Sequence, residues 1–150
     1  MKRDHRLRGL SSEHHQALVL ARWVSRHAPE WSAAAGEALG KRFAAELAPH
    51  FAVEEDILLS ALLVDGAGDL VDRTLADHAA LRGLCRRAID GDGESAAVFA
   101  SRLTAHVRFE ERELFPACER LLAAEVLDRV GERAPPPGSR IPARTEADHE

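Results

Sequence analysis

Cysteine is scarce in this chain of 150 residues: Cys85 and Cys118 are the only two, too few for a disulfide framework. In the helical arrangement developed below they lie toward opposite ends of their helices, so both are expected to be small buried or half-buried thiols. Long apolar runs are missing as well. The longest, around Ile57 to Val64, is far shorter than the ~20 residues of a bilayer-spanning helix. The opening stretch Met1 to Leu10 is charged and has no apolar run behind it, which argues against a signal peptide or a lipidation motif. There is no basic block either. Asp and Glu total 25 against 20 Lys and Arg, giving a net charge of −5, and the two signs are interspersed along amphipathic stretches. That pattern excludes nucleic acid as the main partner. The expectation is a cytoplasmic protein with neither membrane nor nucleic acid among its partners.

What the chain does have is helical periodicity. At 45% hydrophobic, a chain of this length can bury one sizeable core. A first helix is expected from an N-cap at about Ser11 to just before Pro29, with Leu10, His14, Leu18, Ala21 and Val24 facing inward. A second runs from about Ala33 to Val64 and carries Leu39, Phe43, Leu47, His50, Glu54, Ile57 and Ala61 on one face. Its Pro49 predicts a bend or a restart beside His50. The third, from about Asp69 to Ile89, turns Val71, Leu75, His78, Leu81 and Cys85 inward, and Gly91 and Gly93 follow as a turn. The fourth, from about Glu94 to Ala124, carries Phe99, Leu103, His106, Glu110, Leu114 and Leu121, with a kink expected at Pro116. The fold class is therefore all-α, an up-down-up-down four-helix bundle over residues 1–131 with a short fifth helix near Glu125 to Val130. Residues 132–150, with Pro135-Pro136-Pro137-Gly138, read as a flexible tail that need not pack.

Each of the four helices carries one inward histidine, and two carry a glutamate four residues later. In an up-down bundle the height of a residue follows from its distance to the nearest turn. With turns near Ser32, Gly66 and Asp92, His14 and His50 each lie about 18 residues from the first, Glu54 and His78 about 12 from the second, and His78 and His106 about 14 from the third. One layer of the bundle collects donors from all four helices. A single histidine on an apolar face is usually a satisfied core residue. Four of them with two or more carboxylates would be costly to bury together without a cation. Imidazole and carboxylate in this mixture suit non-haem iron, and manganese or zinc accept the same donors. His14 shares the stripe of Leu18 and Ala21, whereas the phase of His15 leads to Val19 and Arg22, which favours His14. Glu110 is nearly in phase with His106, while Glu111 is rotated by roughly 140° and remains an alternative. Glu54 is preferred to Glu55 on the same ground. His5, His27 and His149 fall in termini or near a helix end and are expected to be solvated.

The runs Leu10-Ser-Ser-Glu-His14-His-Gln-Ala-Leu18, His50-Phe-Ala-Val-Glu54-Glu55, Asp77-His78-Ala-Ala-Leu-Arg82 and His106-Val-Arg-Phe-Glu110-Glu111-Arg-Glu-Leu-Phe-Pro116 resemble the hemerythrin-like, or HHE cation-binding, family from about Leu10 to Leu122. The resemblance implies two iron ions joined by an oxo or hydroxo bridge, with His14, His50, His78 and His106 as terminal ligands and Glu54 as a bridging carboxylate. The second bridge falls on Glu111 if the oxygen-carrier pattern is followed and on Glu110 under the HHE pattern. One departure stands out. The oxygen carriers have a further histidine one turn after the third-helix ligand, and here that position is Arg82, which leaves one iron short of a protein ligand and argues against simple reversible oxygen carriage.

The leading expectation is a non-catalytic di-iron protein that binds O2, NO or iron itself for sensing, storage or scavenging. A di-iron redox enzyme turning over peroxide or nitric oxide is the alternative from the enzyme class. A metal-free helical interaction module, its histidines purely structural, is the third reading.

Overall fold

The computed structural model describes residues 2–136, so most of the expected tail, residues 137–150 with His149, lies outside the described residues. A 3-10 turn at His5–Leu7, opened by the Asp4 carboxylate accepting from the Arg6 N–H, leads into α1 (Arg8–His27). This helix starts three residues ahead of Ser11. The Ser11 hydroxyl donates to Glu111 Oε2 at 2.8 Å instead of capping. Ser32 caps α2 (residues 33–64) by accepting from the Ala35 N–H. Gly66, at φ +86°, turns the chain into α3 (Gly68–Ile89), and Gly91, at φ +109°, turns it into α4 (residues 93–121). Both angles suit a residue without Cβ. Asp92 caps α4 from the N–H groups of Glu94 and Ser95. A last helix, α5 (Ala124–Arg133), is longer than expected, and Ala134 behind it is buried. No strand occurs among the described residues.

The two prolines neither break nor restart their helices. In α2 a wide π-helical turn, Phe43–Leu47, precedes Pro49, and in α4 another, Glu110–Leu114, precedes Pro116. In each case the residue before the proline closes the wide turn, Ala48 N–H reaching Phe43 O and Phe115 N–H reaching Glu110 O. Proline lacks an N–H and crowds the carbonyl four residues back. A wider turn takes that carbonyl out of its way, so the chain stays helical through the proline. A third π-turn, Glu54–Leu59, follows the same rule of position without a proline: the wide turns at Glu54 and Glu110 each begin at an inward glutamate. Such turns are rare and concentrate at functional sites.

α1 packs along α4, α3 along α4, and α2 along α3, while α5 crosses the His5–Leu7 turn and the Glu54–Leu59 stretch of α2. The apolar core is divided. One cluster gathers Leu10, Leu58, Leu62, Leu114 and Phe115 with Leu127 and Val130 of α5. The other gathers Leu20, Leu39, Phe51, Leu81, Phe99 and Leu103. Between them lies a polar layer. Two expected core positions are instead exposed. Leu75 is 44% accessible while Thr74, four residues before His78, is fully buried and returns its hydroxyl to Leu70 O. Leu121 is 39% accessible; it is the last residue of α4, and Leu122, in extended backbone just past the helix, is buried in its place.

Gly9, in the first turn of α1, is where α5 closes on the bundle: a Cβ there would fall 1.8 Å from Ala134 O. Gly9→Ala must push backbone away from backbone, and we expect a loss of about 1–3 kcal/mol in chemical denaturation with faster amide exchange confined first to residues 124–133.

Candidate metal centre

The histidines of all four helices meet in the polar layer between the two apolar clusters. His14, His50, His78 and His106 are buried, as are Glu54 and Glu110, the latter two completely. His15 is exposed, as the phase of Leu18 and Ala21 requires. Donor atoms of His14, His50, Glu54 and Glu110 lie within 4.8 Å of one another, and so do those of Glu54, His78, His106 and Glu110. Two four-donor clusters therefore share both carboxylates.

Each imidazole turns Nε2 inward. His50 Nε2 is 2.9 Å from Glu54 Oε2, His78 Nε2 is 3.0 Å from Glu54 Oε1, His14 Nε2 is 2.8 Å from Glu110 Oε1, and His106 Nε2 is 3.0 Å from Glu110 Oε2. Despite these distances, both oxygens of Glu54, Oε2 of Glu110 and Nε2 of His78 and His106 make no hydrogen bond. They are near enough to pair as ions but are not aligned as donor and acceptor. Buried polar atoms left this way each cost about 1–3 kcal/mol. Buried donor atoms gathered this closely while missing one another suit a bound cation, and nitrogen with carboxylate oxygen is a donor set that iron, manganese and zinc accept. The residues fit the group.

The outward nitrogens are as consistently arranged. Each Nδ1 faces a carboxylate: His14 on Glu111 at 2.6 Å, His50 on Glu13 at 2.9 Å, His78 on Glu55 at 2.6 Å and His106 on Asp77 at 2.9 Å. An ionised carboxylate only accepts, so the Nδ1 proton is fixed and Nε2 is left to face the centre. The two glutamate alternatives occupy different places. Glu110 belongs to the inner cluster, whereas Glu111, one of the two candidates for the second bridge, lies outside it on His14 Nδ1 with Ser11 and Arg3. The wide turn that begins at Glu110 carries Glu111 across to α1. Glu13 and Asp77 escaped sequence reasoning. Each immediately precedes an inward histidine, and a residue 100° around the helix from an inward ligand faces the neighbouring helix. The Glu13-His14 and Asp77-His78 dipeptides are the signal that was there to read.

A family model described as the Hemerythrin HHE cation binding domain matches residues 5–118. The chain belongs to that family. Comparison with curated proteins and with solved structures finds no significant match. The match to this hemerythrin domain covers α1 to α4 up to Cys118 and includes every residue of the two clusters. Cation binding is thus the family's trait and the donor geometry of this chain suits it. Cys85 and Cys118 are both free and buried. Burial pushes the Cys118 thiol up, and Glu54 and Glu110 add to it, so it stays protonated.

Electrostatics of the metal-free bundle follow from the same contacts. Burial opposes a charge on His78, but Glu110, Glu54 and Glu55 outweigh it and lift the ring to about 9. His14, His50 and His106 are raised for the same reason, burial being overcome by Glu110 and by Glu54 or the outer carboxylates. Burial would raise Glu110, yet the rings of His106 and His14 hold it well below the usual carboxylate range. In the absence of a cation, protons on the imidazoles neutralise the carboxylates. Stability from such raised histidines is fully present below the unfolded value of about 6.5 and is lost as pH rises through the folded value, about 9 for His78. A bound divalent cation displaces those protons and binds better as pH rises. We therefore expect the Tm of chelator-treated protein to fall between pH 6.5 and pH 9 while that of Zn2+-loaded protein changes little. Calorimetric scans at both pH values check this, and a gap that narrows toward pH 9 would contradict it.

Proposed function

We propose that the protein is a di-iron member of the hemerythrin-like family that binds a small diatomic molecule, O2 or NO, in sensing, storage or scavenging. The observation that carries this reading is the pair of four-donor clusters sharing Glu54 and Glu110. His14 and His50 would hold one cation, His78 and His106 the other, and the two carboxylates would span both. Each cation would take two imidazoles and two carboxylate oxygens, and a metal that prefers six donors is left with positions for exogenous ligands. Ferrous ions in such a site supply reversible binding of, and electron donation to, small molecules.

The chain's own residues set the rest. The layer is closed above and below by the clusters around Leu58 and Phe99, so water is scarce and a small, weakly polar ligand is favoured over a charged one. Arg82 offers no donor: its guanidinium pairs with Glu55 and lies 5.5 Å over the Phe51 ring. The cation on His78 and His106 then has no fifth protein ligand from α3, which supports a sensor or scavenger more than a simple carrier. Among the described residues no helix is long and apolar enough to cross a membrane. The metal-free module fares worse, since it gives no reason for five converging polar atoms without hydrogen bonds.

Anaerobic ferrous loading followed by O2 or NO tests the reading: an optical change that saturates at a fixed ratio to the chain supports it, and no change with either gas overturns the gas-binding part. Sharing of the carboxylates makes a separate prediction. Glu110→Ala removes a donor from both clusters and should abolish retention of both cations through gel filtration, whereas His106→Ala should leave about one per chain, as read by metal analysis.

A further inference from the structure

Behind the outer carboxylates stands a further ring that the metal-binding reading does not use. On His78, Glu55 Oε2 takes the Nδ1 proton and is gripped by Arg82, Nη1 at 3.0 Å to Oε2 and Nη2 at 3.3 Å to Oε1. The same guanidinium lies 5.5 Å over Phe51, and Phe51 stacks on the His78 ring at 3.9 Å with 16° between planes. On His14 the arrangement recurs from different elements. Glu111 Oε2 takes the Nδ1 proton, Arg3 Nη2 grips Glu111 at Oε1 (3.2 Å) and at its carbonyl (2.8 Å), and Arg3 lies 5.5 Å over Phe115, which stacks on His14 at 5.2 Å and 8°. A looser version serves His106, where Arg73 pairs with Asp77 at 3.3 Å and lies 4.3 Å over Phe109. The sequence spacing of these parts differs in each case, so the recurrence is in space and not a duplicated motif.

We propose that Arg82 and Arg3 are positioning residues for the two cation sites, Arg82 for the His78 and His106 site and Arg3 for the His14 and His50 site. Each arginine fixes one carboxylate, and that carboxylate together with a stacked phenyl ring fixes the rotation and the Nδ1 proton of one ligand ring. The arrangement is a clamp on three sides: the fork holds both carboxylate oxygens or one oxygen and a carbonyl, the carboxylate holds the ring edge, and the phenylalanine holds its face. A lysine cannot reproduce the planar fork. Free of the fork, Glu55 and Glu111 gain rotamers and water partners, and the imidazoles they orient lose their single orientation. Position 82, where family oxygen carriers place a ligand, here works two contacts further out, through Glu55 and then His78. The two shared carboxylates couple the sites, but the clamps are separate, so each arginine governs one site.

The inference rests on the two-cation reading, and the experiment separates the two. Full-length wild type, Arg82→Gln, Arg82→Lys, Arg3→Gln and, as a control, the exposed Arg102→Gln are titrated with Zn2+ against a competing chelator, and loaded with Co2+ for proton NMR of the exchangeable, hyperfine-shifted imidazole N–H signals. Two Zn2+ in wild type upholds the reading; one or none overturns it, and the inference with it. Given two, we expect Arg82→Gln and Arg3→Gln each to weaken a single binding step by about 10-fold, Arg82→Lys to recover only part of the loss, and Arg102→Gln to match wild type. The Co2+ spectra should show solvent exchange quickening at one N–H signal, and a different one for the Arg82 and Arg3 variants. Folded variants with both binding steps and all N–H exchange rates unchanged would overturn the inference, as would equal weakening of both steps by either arginine.

Discussion

Burial of ionisable groups governs this molecule. Four imidazoles and two carboxylates taken out of water in one layer of an apolar bundle demand neutralisation, and every distinctive feature answers that demand. The apolar core is split so that the layer can exist, with Leu58 and Leu62 on one side and Phe51 and Phe99 on the other. Wide turns open at Glu54 and Glu110, where the carboxylates must face inward while their neighbours Glu55 and Glu111 serve a different helix. Protons satisfy the layer poorly, because several atoms pair as ions without forming hydrogen bonds. Bound cations would satisfy it better.

Order in the site is built outward in rings. Inner nitrogens and oxygens converge, outer carboxylates fix the imidazole protons, and arginines over phenyl rings fix the carboxylates. Each ring draws on more than one helix, so the layer also ties the bundle together: His14 of α1 depends on Glu111 of α4, His50 of α2 on Glu13 of α1, His78 of α3 on Glu55 of α2, and His106 of α4 on Asp77 of α3. The four outer pairs form a closed circuit around the bundle. Imidazoles oriented this way in advance would bind a cation without a large ordering cost.

Much of this was legible in the sequence, because an up-down bundle converts distance from a turn into height. His14, His50, Glu54, His78, His106 and Glu110 fall in one layer by counting from Ser32, Gly66 and Asp92, and they meet in the fold. Phase placed the inward histidines and glutamates correctly but not every apolar residue: on the regular α3 Thr74 is buried in place of Leu75, and at the end of α4 Leu122, in extended backbone, is buried in place of Leu121. Pro49 and Pro116 marked the irregular places, but a proline announces only that an ordinary turn is forbidden; whether the helix bends or widens is settled by packing on both sides. Glu13 and Asp77 had only their place directly before an inward histidine to mark them. Arg3 and Arg73 were out of reach: the rings they cover, Phe115 and Phe109, lie on α4, and nothing local distinguishes an arginine that reaches across.

The central claim is that two cations share Glu54 and Glu110. X-ray absorption of iron-loaded protein addresses it directly, since a neighbouring metal scatters strongly and an isolated ion has no such neighbour. The proposed pairing predicts a second iron at roughly the 3.5–4 Å typical of two-metal sites, with an average of two imidazoles per iron. Iron surrounded by nitrogen and oxygen alone, with no second iron within that distance at full loading, would contradict it.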